Sequence, residues 1–124
     1  MTTLLFDVPF LPDREYVRFL SRHADRIHAC YFSLHSPGFN DARHRLESPG
    51  LDAIAAGLTG LPGIKKYLLA NAAFHSPQSY FDRKALTESV RILESLTARN
   101  LVDGLVFLDH YFIRALADFA PDLA

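Results

Sequence analysis

The chain has 124 residues, 49% of them hydrophobic, with a formal net charge of −1 and a single cysteine, Cys30. That length suits one domain with a real core, and near-neutral charge gives no electrostatic footprint for nucleic acid or an anionic membrane. One cysteine excludes an internal disulfide and any cysteine-built zinc or iron–sulfur site.

The N-terminus, MTTLLFDVPF, lacks the basic region and small-residue cleavage site of a signal peptide. No apolar run approaches the roughly 20 residues that span a bilayer. These features point to a soluble, cytoplasmic protein.

Leu4, Leu5 and Phe6 open a short apolar strand that ends at Asp7-Val8-Pro9. Pro12 and Asp13 suit a helix start. Tyr16, Val17, Phe19, Leu20 and Ala24 then lay an apolar stripe along a first helix, with Arg22, His23 and Arg26 at its end. Ile27 to Leu34 is a second strand. A long polar loop with two proline breaks follows, and Ser48-Pro49 looks like the N-cap and first-turn proline of a short helix over about Gly50 to Leu58. Gly57 and Gly60 weaken that helix.

The clearest unit runs from Ile64 to Phe112. Tyr67, Leu68, Leu69 and Ala70 form a nearly continuous apolar run, as in a strand buried on both faces of a parallel sheet. Leu86, Val90, Leu93 and Leu96, joined by Ile92, line one face of a helix. Asp82 stands at its N-cap and Asn100 at the left-handed position that ends it. Leu105 to Leu108 make a second buried strand, so a helical crossover joins two parallel strands with right-handed connection. Tyr111, Ile113, Arg114, Leu116 and Ala117 start a fourth helix that Pro121 stops. The whole reads βαβαβαβα. Four such units can form an open flavodoxin-like sheet or half of a (β/α)8 barrel, whose complete form takes about 250 residues. The loops after strands two and three, at about fifteen and about nine residues, exceed the usual two to six and mark the carboxyl ends of the strands as the working face.

Leu69-Ala70-Asn71-Ala72-Ala73-Phe74, Pro77, Tyr80-Phe81-Asp82, Leu101 to Phe107, Asp109 and Ala120-Pro121-Asp122-Leu123 resemble the N-terminal barrel region of the collagenase-like peptidase family. That resemblance implies an α/β fold, half of a TIM-type barrel, over residues 1–124. It also implies a hydrolase- or hydroxylation-type enzyme, since relatives serve tRNA, ribosomal RNA and ubiquinone hydroxylation. The family's glycine- and cysteine-bearing signature lies beyond the fourth strand, so no iron–sulfur cluster comes from this chain alone. His110 stands after Asp109, where relatives usually carry proline.

The residues themselves nominate a site at the strand ends. Asp7, Asn71 and Asp109 are the catalytic candidates: carboxylates placed to act as bases or ligands, and an amide inside an apolar strand that needs a partner. His35, Arg43, Phe74 and His75 are the substrate-binding candidates on the loops at that end. His35, His75 and His110, each just past a strand, with a carboxylate nearby, form a donor set for Zn²⁺ or Fe²⁺. The same groups also read as loop and helix-cap residues: Asp109 as a cap for the fourth helix, Asn71 as a backbone-bonded amide, Arg43 as part of a solvated loop. Cys30, between Ala29 and Tyr31, reads as core.

Two functions follow. One is a barrel half whose peptide or small-molecule chemistry is completed by a missing C-terminal half. The other is a non-catalytic binding or assembly module that homodimerises through unpaired sheet edges.

Overall fold

Among the described residues four short strands alternate with four helices, and three of those helices start on an aspartate N-cap. The computed structural model describes residues 3–34, 50–70, 80–107 and 109–123. Strand β1 is Phe6–Pro9, helix α1 Arg14–Arg22, β2 Ile27–Phe32, α2 Leu51–Thr59, β3 Lys65–Ala70, α3 Arg83–Ala98, β4 Gly104–Phe107 and α4 His110–Phe119. One-turn 3₁₀ segments at Ala24–Arg26 and Pro121–Leu123 complete it.

Asp13 caps α1 by accepting from the Tyr16 N–H at 2.8 Å. Asp82 caps α3 by accepting from Lys84 and Ala85 N–H. Each cap satisfies donors that the first helical turn leaves without an intrahelical partner. Asn100 ends the α3 region with φ of 55°, the left-handed conformation expected of it. At α2 the expectation shifts: the N-cap is Gly50, with no side-chain cap bond, and Ser48 lies outside the described residues. Strand β1 likewise begins at Phe6, leaving Leu4 and Leu5 outside it and exposed.

The strands form one sheet in the order β1-β2-β3-β4, all parallel. Parallel neighbours in sequential order require crossovers of one hand, which put the connecting helices on one face. The core agrees. Leu20 of α1, Ile54 and Leu58 of α2, Leu86, Leu93 and Leu96 of α3, and Phe112 and Leu116 of α4 join Cys30, Phe32, Leu68 and Ala70 in a single cluster. Leu20, Ile54, Leu58, Leu68 and Leu96 are almost wholly withdrawn from water, each contributing about 1.5–3 kcal/mol of transfer free energy.

Lys66 shares that helix-backed face, as the register partner of Cys30. Its ammonium is buried but satisfied, donating from Nζ to the Leu61 carbonyl at 2.7 Å and the Ile64 carbonyl at 3.0 Å. Its backbone N–H donates to Asp103 Oδ2 at 2.9 Å, and Asp103 N–H returns a bond to the Lys66 carbonyl at 2.7 Å. The turn before β3 and the turn before β4 are thereby held to the same residue.

Two features depart from an ordinary covered parallel sheet. Side chains alternate across a strand, so Tyr31, Tyr67, Leu69, Gly104 and Val106 occupy the face opposite the helix-backed core. Among the described residues no helix packs there, although parallel sheets are normally covered on both faces. The second feature is stagger. Pro9, Tyr31, Tyr67 and Gly104 are register partners in succession. Pro9 ends β1 and Gly104 begins β4, so the sheet climbs unevenly from β1 to β4, with Phe32, Ala70 and Phe107 ending their strands one, three and three residues past that level.

Strand β4 corrects the expectation of a buried strand. Gly104 and Leu105 are half-buried, while Val106 and Phe107 are 41% and 37% exposed. The apolar run is there, but β4 is an edge of the described sheet, and it is exposed on both faces: Val106 on the far one and Phe107, the partner of Ala70, on the helix-backed one. Strand β3, in the interior of the sheet, does bury Leu68, Leu69 and Ala70 as its sequence suggests.

Candidate functional site

The carboxyl end of the sheet is defined by the last residues of β2, β3 and β4 and by the start of α4. Asp109 is its best-placed described polar group. Its Oδ1 accepts from the backbone N–H groups of Tyr111 at 2.9 Å and Phe112 at 3.2 Å, the N-cap of α4. Its Oδ2 accepts from the Tyr80 hydroxyl at 2.6 Å. That bond, with the carboxylate charge beside it, pushes the Tyr80 phenol above its ordinary pKa, because ionising Tyr80 would set two anions together. Both oxygens of Asp109 therefore tie the start of α4 to the residue just before α3. The Tyr80 ring also lies 6.1 Å from that of Tyr111, inclined at 50°.

His110 is the first residue of α4 and is exposed, its ring edge-on to Phe107 with centroids 5.7 Å apart. It is at the expected end of the sheet. Among the described residues no group of three or more His, Cys, Asp or Glu side chains is placed to hold a metal ion. His35, Arg43, Asn71, Phe74 and His75 lie outside the described residues.

Asp7 is elsewhere. It is the second residue of β1 and level with Ala29, near the amino end of the sheet. The His28 ring Nδ1 donates to its Oδ1 at 2.9 Å, with both side chains half exposed. By register Asp109 lies some six or seven residues farther along the strand direction, roughly 20 Å at the rise of a strand. The structure does not bring these two carboxylates together. Part of the gap is stagger, since β4 ends three residues higher than β1; the rest is that Asp7 lies inside β1 while Asp109 lies beyond the end of β4.

Cys30 is fully buried on the helix-backed face. Removal from water pushes its thiol up from 9.0 to about 11, despite the nearby Lys66 charge. That is the opposite of an activated nucleophile.

Sequence reasoning passed over a groove between α3 and α4. It has a volume of about 450 Å³ and includes Tyr80, Phe81, Arg83, Tyr111, Arg114 and Phe119 in its walls. Its sequence signal is an arginine two or three residues after an aromatic residue near the start of both helices, Phe81 with Arg83 and Tyr111 with Arg114.

No helix among the described residues is long and apolar enough to cross a membrane. No family model, curated protein or solved structure matches this chain.

Proposed function

We propose that this chain is one half of a (β/α)8-type barrel on the collagenase-like peptidase plan, with peptide hydrolysis or hydroxylation-type chemistry at the carboxyl ends of its strands. The observation that carries the proposal is a parallel sheet, backed by helices on one face, whose strand ends climb three residues over its three steps, an average of one per strand. A closed barrel of eight strands with a shear of eight needs that average stagger, and it needs every helix outside. Tyr31, Tyr67, Leu69 and Val106 then form the inner wall. The Tyr67 ring already leans across Gly104, where an added Cβ would stand 3.1 Å from it. The loops after β2 and β3, which carry His35, Arg43, Asn71, Phe74 and His75 in the sequence, would meet Asp109 and His110 at the barrel mouth.

A second reading is a non-catalytic assembly module that homodimerises through its sheet edges. It rests on exposed apolar residues at both edges: Leu4, Leu5 and Phe6 at β1, and Val106 and Phe107 on β4. A two-fold axis along the strands would set β4 of each copy beside β1 of the other. Pro9 brings no N–H to such a ladder, and its carbonyl already accepts from the Tyr16 hydroxyl at 2.5 Å. Pairing would therefore run through Leu5 and Asp7, below it.

Light scattering, elemental metal analysis and a gelatin-hydrolysis assay on the same purified protein separate the two. A closed assembly that cleaves gelatin, with activity lost in Asp109→Ala but kept in Tyr111→Ala, supports the peptidase reading. A metal-free dimer with neither peptidase nor hydroxylase activity supports the assembly module. A metal-free, inactive monomer that melts cooperatively contradicts both.

A further inference from the structure

We propose that the groove between α3 and α4 is a binding site for a small aromatic anion, adjoining the strand-end site through Tyr80 and Tyr111. Its volume of about 450 Å³ falls within the usual range of small-molecule pockets. Two observations point to a ligand. Phe81 and Tyr111 on its rim are 82% and 76% exposed. Large aromatic rings held in water beside a concave surface are a poor use of apolar area unless something covers them.

The second observation is charge. Arg83 and Arg114 both line the groove, with Asp118 as its one carboxylate. Arg114 Nε donates to Asp118 Oδ2 at 3.3 Å. Arg83 instead lies over the Phe119 ring, 5.6 Å from its centroid, and among the described residues no carboxylate pairs with it. A cation over a ring face makes no hydrogen bond there, so its N–H groups stay available to a carboxylate, sulfonate or phosphate oxygen pair. Rings for a flat apolar body and an uncommitted fork for an anionic group together specify an aromatic acid.

The test is a ¹⁵N NMR titration of the full chain with naphthoate and with its neutral counterpart naphthylmethanol. The expected result is saturable naphthoate binding that shifts the amides around Arg83, Tyr111 and Arg114, with naphthylmethanol weaker by about tenfold for loss of a charge-assisted pair. Arg83→Gln should remove that difference while leaving naphthylmethanol binding unchanged. Arg114→Gln, at a side chain 79% exposed, serves as a second variant in case loss of the Phe119 contact disturbs folding. Equal binding of acid and alcohol would overturn the proposal. So would undiminished acid binding in both variants, or shifts confined to Tyr31, Tyr67 and Val106.

Discussion

Individual residues in this protein are set by what surrounds them more than by type. Cys30 shows it best, because a lone thiol invites a catalytic reading and its position refuses one. The neutral thiol is favoured in the folded state, with its pKa raised to about 11 from 9.0. Below pH 9 both folded and unfolded chains keep the proton, and this group adds no pH dependence. Between about 9 and about 11 the unfolded chain loses its proton first, so stability falls as pH rises through that window and levels off above it. Chemical denaturation across that range, compared with Cys30→Ala, should show a steeper decline in the parent protein. Equal slopes would mean the thiol is not buried as described. Lys66 makes the complementary case: its sequence reads as one of two surface lysines at a strand start, yet Nζ is buried against two carbonyls. Nothing in KKYLLA says which of the two lysines turns inward; only the register with Cys30 decides it.

At the scale of elements, the sequence was most readable where local chemistry and tertiary packing agree. Helix α3 is the example: Asp82, the apolar stripe from Leu86 to Leu96 and Asn100 each do what their spacing implies. Helix α2 was read as weak because of Gly57, and the structure supplies a packing reason for that glycine. A Cβ at position 57 would stand 2.6 Å from Cζ of Phe10, which is itself buried. Gly57→Ala should therefore destabilise by about 1–3 kcal/mol through overpacking, outweighing the gain of about 1 kcal/mol in helix propensity. Urea denaturation checks the sign, and stabilisation would show that the Phe10 ring moves freely. At the start of α4, Asp109→Ala should cost about 1–2 kcal/mol for the lost cap. Tyr80→Phe should cost less, since it removes a partly solvated hydrogen bond and leaves the cap intact. An inverted order in thermal or urea melts would mean that the carboxylate serves mainly to hold Tyr80. What could not be read locally was the height of each strand. Asp7 and Asp109 look equivalent in the chain because each lies near the end of an apolar run, but Asp7 falls inside β1 and Asp109 beyond a β4 that itself ends higher, and only pairing shows the second part.

For the whole molecule, the βαβαβαβα order was legible and the parallel sheet followed from it. Which of the two possible architectures the four units build was not, because flavodoxin-like and barrel-like sheets share the same local signals. The order β1-β2-β3-β4, with its stagger, comes from long-range pairing. The state of that face is likewise invisible in sequence: Tyr67, Leu69 and Val106 all read as buried, yet Leu69 is 3% and Val106 41% exposed, and no helix among the described residues packs there. The account rests on that face being an inner wall. The most direct test introduces a thiol there with Val106→Cys and follows its reaction with a maleimide in the native protein. Cys30 is buried and stays silent, and Tyr111→Cys, on the outer helical surface, gives the rate of an open site. The account expects Val106→Cys to react much more slowly than Tyr111→Cys, and to reach the same rate once the protein is unfolded. Equal native rates at the two positions would mean that the sheet stands open to water, and would contradict it.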